Sequence, residues 1–321
     1  MSRAHCWVCG EHAEFTRLEA RDADRGADAY CLILCSACRS GTLEHPPSAE
    51  VLGRHYDASY YGGGESKFAA PLQAIVNLST RTRAKSIWNA LDCTQAPLVL
   101  DIGCGRGSLL AALAGLGARG IGLERAATGS SGGHAGFQLR VGELTEQRFP
   151  AASFDAVVLW HVLEHLGNPQ EALAEIGRII KPGGLLLIAV PNNASWQARF
   201  FGPSWFHLDL PRHLHFFGHA GLLQLLRRQG YELRACSTFD PIQSLYGFIQ
   251  SCLNRIPGSA PNRLYQLMRS AQAPIRVVEM LLWMLPACLL LPFALIEAAW
   301  SAARDDGACS IVFASKERRA G

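Results

Sequence analysis

Alternating glycines follow a short apolar run near residue 100. Residues 99–110 read Val-Leu-Asp-Ile-Gly-Cys-Gly-Arg-Gly-Ser-Leu-Leu, which predicts a strand, a tight loop and a helix. Glycine at every second position lets the backbone adopt positive φ, and it lets a ligand approach where a Cβ atom would collide. The helix that follows offers backbone N–H groups to that ligand. The pattern therefore indicates a nucleotide-like ligand, and a turn that binds nothing is the alternative.

Paired cysteines near the N-terminus are a second chemical signal. Cys6 and Cys9 form one C-x-x-C pair, and Cys35 and Cys38 form another. Four thiolates at this spacing can surround zinc as a tetrahedron, and a site with four sulfur ligands has no open position for catalysis. We therefore expect a structural zinc ribbon. A redox-active or unfilled dithiol pair is the alternative, and Cys31 and His12 are less favoured substitute ligands.

The glycine spacing distinguishes between two cofactor families. A dinucleotide-binding loop has glycines at the first, third and sixth places, but the sixth place counted from Gly103 is Ser108. The third glycine here is Gly107, which gives Asp-x-Gly-x-Gly-x-Gly from Asp101. This pattern resembles motif I of the class I S-adenosylmethionine-dependent methyltransferases, in which the loop lies beneath the amino-acid end of the cofactor.

The resemblance also implies a set of cofactor contacts. Glu124 ends the second predicted strand, where a carboxylate can accept both ribose hydroxyls, although an exposed carboxylate without a ligand is the alternative. Glu143 occupies the place that receives the adenine amino group, and Trp160 and His161 would line the methionine end. The implied cofactor-binding residues are Asp101, Gly103, Cys104, Gly105, Gly107, Glu124, Glu143, Leu144, Trp160 and His161.

The segment His161-Val-Leu-Glu-His165 matches an inverted zinc-protease signature. That chemistry needs both histidines on one face of a long helix. Here the motif follows a predicted strand directly and meets Gly167-Asn-Pro169 after one turn, so a long helix is excluded. We expect Glu164 and His165 to orient the loop instead.

Candidate catalytic residues follow from the chemistry of methyl transfer. In-line displacement at a sulfonium mainly needs alignment in a dry pocket, and a base is needed when the acceptor is a hydroxyl. His213 or His215 is the first choice and His161 the next, with Asp209 or Arg212 orienting the base. We expect the aromatic loop 196–217 to build the acceptor pocket, because ligands bind at the carboxyl ends of such strands.

Alternating strand and helix patterns position these residues. The expected fold is α/β, a doubly wound, seven-stranded Rossmann-like methyltransferase sheet with an N-terminal zinc ribbon and a hydrophobic helical insertion before the last strand. No regular helix is expected over residues 126–136, which are rich in Gly and Ser. The predicted strands are Leu98–Ile102, Arg119–Glu124, Phe137–Val141, Phe154–Trp160, Leu185–Val190, Tyr231–Phe239 and Cys309–Ser315, and the predicted helices are Pro71–Leu91, Gly107–Leu116, Pro169–Ile180 and Gly221–Gln229.

A tyrosine-rich link connects the ribbon to this core. The order of ribbon, tyrosine link and motif I is similar to a branch of bacterial methyltransferases that carries an N-terminal Cys-knuckle ribbon. Tyr56, Tyr60 and Tyr61 would either cover the cofactor or pack the ribbon onto the next domain. The expected domains are a ribbon (1–45), a linker with a leading helix (46–95), the core (96–241 with 308–321) and the insertion (242–307).

The insertion departs most from a plain soluble methyltransferase. Ile242–Ile256 has the apolar spacing of an amphipathic helix, and Met280–Ile296 is free of charge but holds two prolines. Because the strands on either side share one sheet, the insertion must return to the side it left. We expect a re-entrant hairpin or an interfacial helical pair, with Arg255, Arg263, Arg269, Arg276 and Arg304 near lipid headgroups. The alternative is an apolar cap packed on the enzyme or on a second copy of the chain.

Composition restricts the partners. The net charge of +3 and the absence of a dense basic run argue against nucleic acid. Scattered cysteines favour reduced thiols in the cytosol, and no signal sequence is expected at the N-terminus. The leading hypothesis is a cytoplasmic enzyme that uses S-adenosyl-L-methionine and structural zinc to methylate a small or lipid-linked acceptor, in monotopic contact with the membrane. A non-catalytic, membrane-associated adaptor that retains the methyltransferase scaffold is the rival hypothesis.

Overall fold

The computed structural model describes residues 3–22, 28–55, 70–91, 96–125, 136–269 and 277–317. The expectations for Tyr56, Tyr60, Tyr61, residues 126–135 and Arg276 lie outside these ranges. The chain forms two compact units, and it crosses from one to the other several times. The first unit is Met1–Ala70, Pro191–Leu225 and Ser237–Ile311, and the second is Pro71–Val190, Leu226–Cys236 and Val312–Gly321.

The strands and helices of the described residues are numbered in chain order. The strands are β1 (Ala4–His5), β2 (His12–Ala13), β3 (Phe15–Arg21), β4 (Ala29–Cys35), β5 (Gly41–Leu43), β6 (Leu98–Ile102), β7 (Arg119–Glu124), β8 (Phe137–Val141), β9 (Phe154–Trp160), β10 (Ile180–Pro191), β11 (His215–Phe216), β12 (Tyr231–Ser237) and β13 (Cys309–Lys316). The helices are α1 (Ala49–Gly53), α2 (Ala70–Ala90), α3 (Ser108–Ala114), α4 (Pro169–Ile179), α5 (Trp196–Phe201), α6 (His219–Arg228), α7 (Pro241–Leu253), α8 (Arg263–Arg269) and α9 (Val277–Ala303).

The second unit is built on a seven-stranded sheet in the order β12-β13-β10-β9-β6-β7-β8. The five strands from β10 to β8 in this order pair in parallel, so their carboxyl ends share one edge of the sheet. The last strand, β13, lies between β12 and β10. This order confirms the predicted methyltransferase sheet, including the expected neighbourhood of its sixth and seventh strands.

Continuous apolar runs explain why the central strands are buried. Val157, Val158, Leu186 and Leu187 are fully inaccessible to solvent, as expected for strands covered on both faces. Helix α4 begins where the Asn168 side chain accepts a hydrogen bond from the backbone N–H of Glu171. These local signals place the ends of β6, β7, β8 and β9, which carry the predicted cofactor residues, at the same edge.

The first unit contains a four-stranded sheet in the order β11-β5-β4-β3. Strand β11 comes from the segment after β10, and its residues His215 and Phe216 pair with Thr42 and Gly41. This segment also shares a core with the ribbon: the buried residues of that core are Ala20, Leu32, Leu34, Leu43, Ala198, Phe201, Trp205, Leu208, Leu210, Leu214 and Phe216. The segment that we expected in the methyltransferase core is therefore part of the ribbon's unit.

The long helix of the insertion contains both of the prolines that the sequence shows in its apolar run. Helix α9 runs through both Pro286 and Pro292, so the prolines do not divide it into the two arms of a hairpin. Each proline removes one helical hydrogen bond. Ala287 and Ala294 pack with residues of α7 in a shared apolar cluster. The described part of the insertion therefore places α7 beside α9.

Much of α9 is exposed despite its composition. It is the one described helix that is long and apolar enough to cross a membrane, and only 11% of its apolar window is buried. The exposed large apolar side chains of this helix are Val278, Leu281, Leu282, Met284, Leu285, Leu289, Leu291, Phe293, Leu295, Ile296 and Trp300.

Candidate functional site

The loop between β6 and α3 has the three alternating glycines at left-handed φ, +68° at Gly103, +54° at Gly105 and +76° at Gly107. A Cβ atom added at Gly103 would lie 2.4 Å from Val162 Cγ2, and one added at Gly107 would lie 2.7 Å from the Phe137 ring. A Cβ atom at Gly105 would meet nothing within 4 Å. Internal packing thus requires two of the glycines, whereas Gly105 borders open space that a ligand can occupy.

Glu124 connects the end of β7 to this loop. Its Oε2 atom accepts a hydrogen bond of 2.8 Å from the backbone N–H of Gly105, and its Oε1 atom accepts one of 3.1 Å from Arg125 N–H. Each carboxylate oxygen can accept more than one hydrogen bond. The predicted ribose ligand is therefore aimed at the loop and keeps acceptor capacity for two hydroxyls.

The Cys104 side chain points toward the sheet. A Cβ atom added at Gly122 in β7 would lie 2.6 Å from Cys104 Sγ, and burial raises the pKa of this thiol well above its ordinary value. A neutral thiol packed on the sheet is an inert group. The predicted role of Cys104 in cofactor binding is therefore better suited to its backbone than to a thiolate.

A buried charge cluster lies below the loop. Asp101 is 4% exposed, and its pKa is raised to about 7 because burial outweighs the lowering by Arg83, while Glu124 adds a smaller raising effect. The Arg83 guanidinium carbon lies 3.3 Å from the centre of the Trp160 ring. This arginine on α2 therefore brings a cation to the carboxyl ends of β6 and β9.

The predicted adenine-side residues follow β8. The Glu143 carboxylate is exposed and accepts a hydrogen bond of 2.8 Å from Arg125 Nε. Leu144 is buried and precedes a short 3-10 turn over Thr145–Gln147. An adenine amino group that reached Glu143 would therefore share this carboxylate with a guanidinium.

His161 occupies a strained position directly after β9. Its φ of +55° is rare for a residue with a side chain, and its Nδ1 atom lies 3.3 Å from Oε1 of the buried Glu164. Residues Leu163–His165 form a single 3-10 turn, which agrees with the exclusion of the protease helix. The Glu164 carboxylate thus lies beside the His161 ring at the edge of the sheet.

His213 lies in the first unit, in a buried polar turn. Its Nδ1 atom is 2.9 Å from the His207 carbonyl oxygen, which can only accept, so Nδ1 carries the proton in the neutral ring. The Nε2 atom lies 3.9 Å from Asp209 Oδ2, and Asp209 also forms an ion pair with the buried Arg212. The neutral His213 ring therefore carries its basic lone pair on Nε2.

His215 has a different environment. It belongs to β11, opposite Thr42, and its ring meets Trp7 edge to face at 5.3 Å. In a regular strand, side chains two residues apart point to the same face, but β11 begins only at His215, so His213 lies outside the strand and is not held to the same face. The structure therefore separates the two histidines that the sequence analysis ranked together and associates His215 with the ribbon.

The four ribbon cysteines form a compact buried cluster. Their sulfur atoms lie within 4.8 Å of one another, with 3.8 Å between Cys6 and Cys38 and 4.0 Å between Cys9 and Cys35. Tetrahedral zinc with bonds of about 2.3 Å places its sulfur ligands about 3.8 Å apart. The side-chain hydrogen bond with Cys38 lowers the pKa of Cys6 to about 5. The cluster therefore fits a structural zinc ion.

The sheet edge fits the parts of S-adenosylmethionine. The cofactor presents a carboxylate and an ammonium group at one end and a ribose diol with adenine at the other. The Arg83 guanidinium can pair with the cofactor carboxylate, and the Glu124 carboxylate can accept hydrogen bonds from the ribose diol. The open space at Gly105 leaves room for the atoms that join these two ends of the cofactor. When bound, the cofactor supplies an electrophilic methyl group.

Comparisons with known proteins agree with this geometry. A methyltransferase domain family matches residues 76–235. The ubiquinone biosynthesis O-methyltransferase of Thiobacillus denitrificans is 32% identical over 174 residues, covering 48% of this chain and 75% of that protein. The enzyme of the same name from Maricaulis maris is 35% identical over 153 residues, covering 43% of this chain and 59% of that protein.

A solved structure supports the fold. The [4+2]-cyclase SpnF matches with a TM-score of 0.53 and 18% identity, over 85% of this chain and 97% of that chain. Sheet order, site and relatives together define a Rossmann-like methyltransferase. The chain belongs to the class I S-adenosylmethionine-dependent methyltransferase family. It is therefore an enzyme, and we reject the rival hypothesis of a non-catalytic adaptor.

Arg83 is a residue of the candidate site that the sequence pattern did not predict. The apolar periodicity of residues 71–91 correctly predicts a helix, and α2 covers almost the same range. That pattern identifies the face of the helix that packs on the core, but it does not show that an arginine side chain reaches the carboxyl ends of β6 and β9. An arginine one helix ahead of the glycine loop was the available signal.

Replacing Gly105 with Ala tests whether the space above the loop holds the cofactor. We expect Gly105→Ala to weaken S-adenosylmethionine binding at least about tenfold in isothermal titration, because the new methyl group enters the ligand's space. Gly230→Ala is the matched control, since Gly230 also has positive φ and open surroundings. Both changes should cost about 1 kcal/mol of stability from backbone strain. Equal cofactor affinity in the two variants would contradict this assignment.

The buried Asp101 predicts a pH dependence of folding. Its pKa of about 7 in the folded chain exceeds the ordinary value of 3.8, so the folded state binds more protons between these limits. The free energy of unfolding should therefore fall as pH rises from about 4 to about 7, by up to about 1.4 kcal/mol per pH unit. Urea unfolding at pH 5, 6 and 7 measures this slope. Asp101→Asn should reduce it, and an unchanged slope would refute the burial argument.

Proposed function

We propose that this methyltransferase transfers the methyl group to a hydroxyl of an apolar or lipid-linked acceptor, and that it works at the cytoplasmic face of a membrane. The relatives named above are O-methyltransferases of ubiquinone biosynthesis, which supports a hydroxyl acceptor on a small molecule. The observation that carries the acceptor class is the exposed apolar face of α9, described below. A ribbon that binds zinc structurally completes the proposal.

A hydroxyl acceptor needs a base, and His213 is the residue we propose. Its Nδ1 proton is donated to the His207 carbonyl, which leaves the Nε2 lone pair to accept a proton. In the transfer, a bond forms between the acceptor oxygen and the methyl carbon while the sulfur–carbon bond breaks. The electron pair goes to sulfur, and the hydroxyl proton goes to Nε2. The carboxylate of Asp209, 3.9 Å from Nε2, stabilises the resulting imidazolium.

His161 and His215, the other two predicted histidines, have different roles in this proposal. His161 is paired with the buried Glu164 at the edge of the sheet, so we propose that it lines the methionine end of the cofactor and is the second candidate base. His215 pairs with the ribbon strand β5 and packs against Trp7, so we propose a structural role for it. The proposed cofactor ligands remain those that the resemblance implies, with Arg83 added.

The exposed face of α9 supports a lipid environment. Leu281, Leu285, Leu289, Phe293 and Ile296 recur at near-helical spacing, and each is between 62% and 68% exposed. Small residues on the opposite face, including Ala294 and Ala298, are buried. An apolar stripe of this size is rarely exposed to solvent in a soluble protein. It fits the boundary between the headgroups and the acyl chains of a bilayer.

Aromatic and arginine side chains lie at one end of this stripe. The Trp300 ring is 5.1 Å from the Arg304 guanidinium carbon and 5.9 Å from the Trp196 ring, and Arg255 lies 4.6 Å from the centre of the Phe200 ring. Such residues favour the headgroup layer. Strands β12 and β13 adjoin in one sheet, so the insertion returns to the side it left, which supports a monotopic contact over a span. A homodimer through the same face is the alternative occupant.

Methyl-tritiated S-adenosylmethionine tests the acceptor and the base. Incubated with extracts of the source cells, the enzyme should label the organic phase, and His213→Gln should lower the rate at least about a hundredfold with unchanged cofactor affinity. Label confined to the aqueous phase would overturn the lipid-linked acceptor. A His213→Gln variant with the wild-type rate would overturn the base.

Vesicle sedimentation tests the membrane contact. The wild type should sediment with vesicles of phosphatidylcholine and phosphatidylglycerol, and the double change Leu285→Glu with Leu289→Glu should weaken binding at least about tenfold because two charges enter the acyl boundary. Ile75→Glu is the control, since Ile75 is exposed on α2 and should bind as the wild type does. Recovery of the wild type as a monomer in the supernatant at moderate salt would refute the contact.

A further inference from the structure

The segment that carries His213 is bound to the ribbon strand β5. The Leu214 carbonyl oxygen accepts hydrogen bonds from Leu43 N–H at 3.1 Å and from Thr42 Oγ1 at 2.9 Å. The next residues of the segment, His215 and Phe216, continue as β11 in register with β5. The residue immediately after His213 is thus fixed by the strand that follows the second cysteine pair.

The second cysteine pair also contacts the start of α6 directly. The buried hydroxyl of Ser40, two residues after Cys38, accepts a hydrogen bond of 2.8 Å from Gly218 N–H. A Cβ atom added at Gly221 would lie 3.1 Å from both Cβ and Sγ of Cys38 and 2.6 Å from Ser40 Oγ. No room for another carbon atom exists between this cysteine turn and the helix.

A third contact joins the cysteine turn to the chain that precedes the segment. The Asn193 side-chain amide donates a hydrogen bond of 2.7 Å to the Arg39 carbonyl oxygen, and Arg39 lies between Cys38 and Ser40. Asn193 is buried. Contacts at Asn193, Leu214 and Gly218 therefore join the turn and strand of residues 38–43 to positions on both sides of His213.

We propose that residues 38–43 are positioning residues for His213, so that metal loading of the ribbon sets the geometry of the acceptor-side base. Four bonds from Cys6, Cys9, Cys35 and Cys38 to one zinc ion would fix the cysteine turn, and the hydrogen bonds at Ser40 and Thr42 carry that fixed position to Gly218 and Leu214. The functional consequence rests on the proposed role of His213, whereas the coupling itself rests on these contacts alone.

Hydrogen exchange of the full chain tests the coupling. Zinc-loaded protein is compared with protein treated with a chelator, with the metal content measured in both. Loss of zinc should speed amide exchange at residues 209–221 at least about tenfold, while exchange at 98–110 and the dissociation constant for S-adenosylmethionine stay unchanged. Equal protection of 209–221 in the two samples would overturn the proposal. Failure of the purified chain to take up zinc would overturn it as well.

A methyl group added at Gly221 tests the coupling in the opposite direction, from the start of α6 to the zinc site. Gly221→Ala should lower zinc affinity at least about tenfold and shift the imidazole resonance of His213, because coupling between two sites is reciprocal. Gly53→Ala is the matched control, since Gly53 ends α1 in the same unit and an added Cβ there meets nothing within 4 Å. Retained cofactor binding in the variant shows that its second unit is folded. Wild-type zinc affinity and an unmoved His213 resonance would overturn the proposal.

These readouts separate the coupling from the proposed function. Neither hydrogen exchange nor zinc affinity depends on methyl transfer, so a failure to label lipid extracts would leave a positive coupling result intact. Conversely, unchanged exchange after zinc removal would reject the coupling even if His213 proved to be the base. The kcat of zinc-depleted enzyme with an active lipid extract should fall while the KM for S-adenosylmethionine stays constant.

Discussion

The hydrogen bond from Gly105 N–H to the Glu124 carboxylate is the interaction on which the candidate site depends. It joins the loop after β6 to the end of β7, two parallel neighbours whose carboxyl ends must meet at one edge of the sheet. The bond turns the carboxylate toward the glycine loop, and the space beside Gly105 remains open. Below the loop, the buried Asp101 and the Arg83 cation complete an arrangement that suits a ligand with a ribose diol at one end and an amino acid at the other.

The first unit is organised by a different constraint, which is the close approach of four sulfur atoms. Cys6, Cys9, Cys35 and Cys38 bring together two turns of the ribbon. The ribbon then shares its core and its sheet with the segment that carries His213. One unit thereby contains the proposed metal site, the proposed base and the apolar helix α9, while the other contains the cofactor loop.

Local sequence signals predicted the parts that depend on neighbouring residues. The strand, glycine loop and helix of residues 98–114 follow from composition over a few positions, and the paired cysteines follow from their spacing. The pairing of His215 with Thr42 joins residues 173 positions apart, and no periodicity reports it. Arg83 was missed for the same reason. The packing of α9 on α7 likewise joins distant parts of the insertion, and the apolar spacing of each helix alone does not identify its partner.

A crystal structure of the protein with S-adenosylhomocysteine bound tests the central claim most directly. We predict that the ribose hydroxyls donate hydrogen bonds to the Glu124 carboxylate and that the amino-acid carboxylate lies beside Arg83. The atoms that join these two groups should occupy the space next to Gly105. A ligand bound elsewhere, or a Glu124 carboxylate that makes no contact with the ribose, would contradict it.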